Sequence, residues 1–262
     1  MNESGSQNWL LLRGLGRQSA HWGEFIPQMQ RAFPLAQIYT LDLPGSGRLS
    51  QQTSPNRIEA IVDFVRQHAL EQGMLETPPN LLGLSLGGMV AWQWMQQYPN
   101  DMGSGVLINS SFASLSPFYQ RLRWQNIGTI CRLLGSQQII ERELGIVKLI
   151  SNRSEVEQTQ IAQNWAEIDR QQPMLMTTLF RQLQAAACYR PQNAAPCAPV
   201  LLLNSVGDRL VSPACSDSIQ QHWRLPLKRH PSAGHDLPLD AGDWVTEQLQ
   251  LWIKERRNNS DL

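Results

Sequence analysis

Short apolar runs alternate with amphipathic stretches over the first 110 residues. Trp9-Leu10-Leu11-Leu12 is a continuous apolar run of strand length and reads as a buried strand. Residues 19–33 carry Trp22, Phe25, Met29 and Phe33 on one side of a predicted helix. Residues 37–43 read as the next strand. Ser54-Pro55 reads as a helix start, with serine as N-cap and proline at the first helical position. Ile58, Ile61, Val62 and Val65 follow at the i, i+3, i+4, i+7 spacing of one helical face. Residues 80–84 predict a strand, 86–98 a helix stopped by Pro99, and 105–109 another strand. Strands and helices taking turns over short connections imply parallel βαβ units and a sheet covered on both faces.

The alternation stops at about residue 112. From there to residue 190 the pattern predicts no strand and four helices, near 117–134, 137–150, 154–171 and 173–187. It resumes after Pro196 and Pro199 with a strand at 200–204, a helix at 213–222, a strand at 227–230 and a last helix at 242–254. The simplest organisation is an α/β core formed by residues 1–111 and 191–262, interrupted by a helical insertion at 112–190. Nothing repeats internally.

Composition narrows the function. The 262 residues suit one large domain or one domain with an insertion. Lys plus Arg and Asp plus Glu both number 22, with no basic run, which argues against nucleic acid or anionic membrane as partner. Met1 to Gln7 lack a basic leader segment, and no run approaches the ~20 apolar residues of a membrane span. A cytoplasmic protein is expected. The four cysteines show neither CxxC nor Cys/His metal spacing, so reduced thiols and no metal site are expected.

The chemistry centres on Gly83-Leu84-Ser85-Leu86-Gly87-Gly88, between a predicted strand and a predicted helix. A serine at so sharp a turn is forced into strained backbone geometry, and only small residues fit beside it, which accounts for Gly83 and Gly87. Its hydroxyl would project from the C-terminal edge of the sheet, where the next helix aims its free N–H groups. The Leu86 N–H is thus a natural oxyanion donor. The second should come from the loop after the first strand, Arg13-Gly14-Leu15-Gly16, where the Leu15 N–H is the candidate.

A serine hydroxyl needs a base, and the base needs an orienting acid. Of His21, His68, His222, His230 and His235, only His235 lies on a flexible loop just beyond the last strand. His21 falls in the first predicted helix, where packing is expected. Asp208 follows the strand at 200–204 directly and is the candidate acid. The strand at 105–109 ends in Asn109, followed by Ser110-Ser111, with no carboxylate. Asp236 and Asp240 are too near His235 in sequence to reach its Nδ1 easily.

These motifs resemble the α/β-hydrolase family, and the resemblance covers nearly the whole chain. Gly83 to Gly87 resembles the nucleophile elbow, Gly14 to Gly16 the oxyanion loop, and Asp42-Leu43-Pro44-Gly45-Ser46-Gly47 the D-x-P-G-x-G segment after the second core strand. Gly207-Asp208 and Gly234-His235 resemble the acid and histidine loops, and the order Ser85, Asp208, His235 is that of the family. The resemblance implies an α/β-hydrolase fold with a mostly parallel sheet of about six strands and a helical cap at 112–190. Size and cap are similar to small cytosolic carboxylesterases, and also to carbon–carbon bond hydrolases acting on ring-cleavage products. Two departures stand out. Arg13-Gly14 replaces the usual His-Gly, and the usual N-terminal antiparallel hairpin is expected to be missing. Arg13 is expected to be structural, with contact to an acidic substrate group as the alternative.

The implied reaction is hydrolysis of a carboxylic ester or thioester through an acyl-enzyme, without metal or organic cofactor. The implied partner is a small, mostly apolar ester, with the protein a monomer or homodimer. Arg13, Phe112, Phe118, Trp124 and Trp165 are candidate pocket residues. Two readings from other classes compete. Gly14-x-Gly16-x-x-Ser19 with Asp42 approaches a dinucleotide-binding fingerprint but lacks its third glycine. A non-catalytic binding protein of the hydrolase fold would be expected to have lost a triad member.

Overall fold

The computed structural model describes residues 8–260. The opening segment read for targeting, residues 1–7, and the final residues 261 and 262 lie outside that range. Six strands form one sheet: β1 (Trp9–Leu12), β2 (Ile38–Leu41), β3 (Asn80–Leu84), β4 (Ser104–Ile108), β5 (Val200–Ser205) and β6 (Leu227–His230). The order is β2-β1-β3-β4-β5-β6, and every adjacent pair is parallel. Among the described residues no antiparallel strand precedes β1.

The helices of the α/β layers are α1 (Phe25–Ala32), α2 (Ile58–Glu71) and α3 (Leu86–Gln97). Between β4 and β5 run α4 (Phe118–Arg121), α5 (Ile127–Gly135), α6 (Ile139–Ile150), α7 (Glu155–Gln171) and α8 (Met176–Cys188). The core resumes with α9 (Ala214–Trp223) and α10 (Leu237–Ser260). No helix among the described residues is long and apolar enough to cross a membrane.

The apolar run in β1 explains the layering. Leu10 and Leu12 face one side and pack with Ile61 and Val65 of α2, Val90 of α3 and Ile219 of α9. Trp9 and Leu11 face the other and pack with Phe25 and Met29 of α1 and with Val245 and Leu249 of α10. Alternate residues of a strand point to opposite faces, so a run buried on both must be apolar throughout. Each such side chain contributes about 1.5–3 kcal/mol on full burial. Exposed ion pairs such as Arg170–Glu167 add little, because solvent screens them. Two apolar layers, not surface charge, therefore hold the sheet.

Four local differences from the sequence reading have physical causes. The expected helix at 19–33 is a 3₁₀ turn (Ser19–Trp22) and then α1, because Gly23 takes φ +46° between them. Ser54-Pro55 does not start α2, which begins at Ile58 after an extended Arg57. Ser54 is buried, and its carbonyl accepts from Arg181 Nε of α8. The expected helix at 117–134 is broken after α4. There the Arg123 amide donates to the Leu210 carbonyl (2.9 Å), and the Ser212 amide donates to the Gln120 carbonyl (2.8 Å). The last helix begins at Leu237, earlier than expected, and kinks at Ala241.

The topology itself locates a cleft. From β1 the chain moves out to β2 and then returns to β3 on the other side of β1. The crevice outside the carboxyl ends of strands at such a reversal is where open α/β sheets bind ligands. The loops that leave β1 and β3 carry Gly14 to Gly16 and Ser85.

Candidate active site

Ser85 stands between β3 and α3 with φ 56° and ψ −114°. A non-glycine residue held there is strained, and such strain gathers at functional sites. Three features hold it. Its amide donates to the Ile108 carbonyl of β4 (2.8 Å). Its carbonyl accepts from the Gly88 amide (3.0 Å) and the Ser110 hydroxyl (3.0 Å). The chain also crosses itself without room for side chains: a Cβ on Gly83 would collide with the Gly87 carbonyl, and one on Gly87 with the Leu12 carbonyl. The glycines predicted from the motif are thus demanded by close approach.

The loop after β1 lies directly against this turn. A Cβ on Gly14 would sit 3.2 Å from the Leu84 carbonyl oxygen and from Ser85 Cβ. The Leu15 and Leu86 amides donate to no other described residue. Leu86 directly follows Ser85, and Leu15 directly follows Gly14, which lies against Ser85. Gly16 N–H donates to Gln182 Oε1 of α8 (3.3 Å), so the helical segment between β4 and β5 helps shape this loop.

Asp208 and His235 meet in a buried pair. Asp208 Oδ2 lies 2.7 Å from His235 Nδ1. Asp208 Oδ1 accepts from the Leu210 (2.8 Å) and Val211 (2.9 Å) amides, which fixes the carboxylate from behind. Burial disfavours charge on His235, but the attraction and hydrogen bond of Asp208, with help from Asp236, outweigh it and raise its pKa above 6.5. Ser85 Oγ and His235 Nε2 form no hydrogen bond to each other. Such contacts commonly tighten only with substrate present.

Asn109 joins these parts, a role that its place in the sequence, where a carboxylate is lacking, does not reveal. It directly follows β4, is buried, and takes φ +47°. Its Nδ2 donates to the His235 carbonyl (2.8 Å) and to Ser205 Oγ (3.0 Å), and its Oδ1 accepts from the Ser205 amide (2.9 Å). One side chain therefore ties the histidine loop and the end of β5 to the strand beside Ser85. A lone polar residue ending an otherwise apolar strand was the available signal. Asn152 works similarly from the end of α6: its Nδ2 donates to the Gly207 (3.0 Å) and Ser232 (2.9 Å) carbonyls.

The other expected residues fall in different places. Arg13 is buried and paired with Asp236 through Nη1 and Nη2, while its Nε is buried without a hydrogen-bond partner among the described residues. Phe112 lies inside the core against Trp92, Tyr189 and Trp223, so its role is packing. Trp165 is buried edge-on against His21 (4.9 Å between ring centres), with the Arg17 guanidinium over its face at 4.5 Å. His21 does pack, as expected. Burial and the nearby Arg17 and Arg13 charges hold its pKa well below 6.5. Phe118 and Trp124 are 72 % and 64 % exposed. A cavity of about 390 Å³ lies between residues 50–53 and 171–181, lined by Gln51, Gln172, Thr178 and Arg181 among others. It does not include Ser85. Among the described residues no group of three or more His, Cys, Asp or Glu could hold a metal ion.

The dinucleotide reading fails on geometry. Asp42 Oδ1 accepts from the Ser19 amide (2.5 Å) and Oδ2 from the Arg48 amide (3.0 Å), so the carboxylate is engaged within the protein. The glycine loop runs into a 3₁₀ turn rather than an α-helix N-terminus.

A strained serine at a strand-to-helix turn, with a histidine–aspartate pair on later loops of a parallel sheet, defines the α/β-hydrolase class. Residues 9–248 match the alpha/beta hydrolase family, and the chain belongs to it. It is similar to the pimeloyl-[acyl-carrier protein] methyl ester esterase of Edwardsiella ictaluri, 30 % identical over 124 residues, which are 47 % of this chain and 43 % of that protein. It is similar at the same identity to the Neisseria meningitidis serogroup C protein of that description, over 106 residues, 40 % of this chain and 37 % of the other. The chain thus matches about two fifths of the length of these relatives. Among solved structures, the enol-lactonase from Burkholderia xenovorans superposes with a TM-score of 0.72 at 16 % identity, covering 97 % of this chain and 94 % of the other. A hydrolase from Pseudomonas aeruginosa superposes with a TM-score of 0.73 at 19 % identity, covering 95 % and 91 %. At these identities the likeness is one of fold.

Proposed function

We propose that the protein is a serine hydrolase that cleaves the carboxylic ester of a small, mostly apolar substrate. The observation that carries this reading is the buried contact of 2.7 Å between His235 Nδ1 and Asp208, on loops pinned by Asn109 to the strand beside Ser85. In this reading His235 takes the proton as Ser85 attacks the carbonyl, and Asp208 holds the imidazole tautomer and steadies the imidazolium. The Leu15 and Leu86 amides bind the oxyanion; one such donor is typically worth ~3 kcal/mol in the transition state. Water activated by His235 then releases the acid. Residues 112–190 act as a cap, fastened to the β1 loop by Gln182 and by the Arg17–Glu143 pair (2.6 Å). The ester-cleaving activity in the name of the Edwardsiella protein supports ester over carbon–carbon bonds.

Rates on p-nitrophenyl esters of graded chain length test this. Hydrolysis above the buffer rate is expected, with short to medium acyl chains preferred. The pH dependence of kcat/KM carries a further expectation. Only neutral His235 can accept the serine proton, and its pKa is raised, so activity on acidification falls at a higher pH than 6.5. No hydrolysis of any ester, or an acid limb centred below 6.5, would count against the reading.

A further inference from the structure

Arg13 holds the place where the family usually has histidine, and its side chain leaves its own loop. It crosses to the histidine loop and meets Asp236, the neighbour of His235, through Nη1–Oδ1 (3.3 Å) and Nη2–Oδ2 (2.5 Å). Both side chains are buried, at 3 % and 1 % exposure. The Trp22 ring covers the guanidinium at 4.7 Å, and the Leu239 amide donates to Asp236 Oδ1 (3.3 Å). Both ends of this bridge abut the site. The Arg13 carbonyl fills the space beside Gly87, and the next residue, Gly14, lies against Ser85. The Asp236 amide donates to the Ile150 carbonyl of α6 (2.8 Å). Buried ion pairs are poor stabilisers, because desolvation offsets much of their attraction, so stability alone is a weak reason for this one.

We propose that the Arg13–Asp236 pair is a positioning element that clamps the loop of Leu15 against the loop of His235 and balances the charge around the imidazole. Its effect on turnover rests on the hydrolase reading above; its effect on His235 does not.

Charged groups face His235 from three directions: Asp208 from the loop after β5, Asp236 from its own loop, and Arg13 from the loop after β1. Asp240 lies just outside these and accepts from the Gly234 amide (2.7 Å). Asp236 favours the imidazolium and Arg13 opposes it, so the two act on the imidazole with opposite sign.

Removing one partner at a time therefore moves His235 in opposite directions. The test is a histidine-ring NMR titration of the full chain, with the His235 signal assigned by its loss in His235→Gln. Arg13→Met is expected to raise the His235 midpoint by at least about half a pH unit, a threefold change in the protonation constant. Asp236→Asn is expected to lower it by a similar amount. The double variant, which leaves no charge unpaired, is expected to fold and to titrate near the wild type. Should a single variant not fold, Arg13→Lys replaces it. It keeps the charge but not the two-pronged geometry, so a wild-type midpoint with slower fluorophosphonate labelling of Ser85 is expected. Shifts of the same sign in both single variants, or a double variant displaced as far as a single one, would overturn the proposal. Wild-type protein that resists labelling would instead overturn the hydrolase reading and leave the titration to judge the clamp.

Discussion

Ser85→Ala is expected to lower kcat on the best ester by about 10⁵–10⁶-fold, the scale seen when a serine nucleophile is removed. Thermal stability should stay close to that of the wild type. The reason lies in the turn. The Ser85 backbone is held by the Ile108 carbonyl, the Gly88 amide and the Ser110 hydroxyl, none of which needs the Ser85 hydroxyl. Alanine keeps the Cβ and adds no bulk beside Gly14, which lies in contact there. Kinetics on the purified variant, with a melting curve alongside, separate loss of chemistry from loss of fold. A variant retaining more than about one hundredth of wild-type kcat would remove Ser85 from the mechanism.

Asp208→Asn is expected to cost about 10⁴-fold in kcat, the known scale for an orienting acid turned into an amide. The geometry says which way the amide will face. Two backbone amides, of Leu210 and Val211, donate to Asp208 Oδ1 and will hold the asparagine carbonyl in that place. The NH₂ group is then left opposite His235 Nδ1. Nδ1 must accept that hydrogen bond, so the ring proton moves to Nε2, the atom that has to receive the serine proton. The ring is locked in the wrong tautomer while the fold is kept. The loss should appear in kcat, with KM little changed, since Asp208 is buried behind the histidine. A kcat reduced less than tenfold would contradict this role.

Much of this arrangement was legible in the chain. Apolar runs such as Trp9 to Leu12 announced strands buried on both faces, because residues that alternate between two packed layers must all be apolar. The elbow was legible because close chain crossing leaves Gly83 and Gly87 no substitute. Asp208 and His235 were legible from their place after β5 and β6. What escaped notice depended on contacts between distant residues. The break after α4 comes from the Arg123 amide pairing with Leu210, and no local pattern reports that. The partner of Arg13 lies 223 residues away, although the departure from the usual histidine marked the position. Asn109 was overlooked because its task is to hold other loops by side-chain hydrogen bonds. Aromatic residues were ambiguous in the sequence, since a large ring does not reveal whether it faces a cleft or the core; Phe112 and Trp165 are buried against other rings.

The central claim is that Ser85 is an activated nucleophile served by His235. Reaction of the folded protein with a fluorophosphonate, followed by intact mass and peptide mapping, tests it most directly. The account predicts one adduct per chain, on the peptide containing Ser85, formed slowly or not at all in Ser85→Ala and His235→Gln. An adduct on another residue, or equal labelling of wild type and Ser85→Ala, would contradict it.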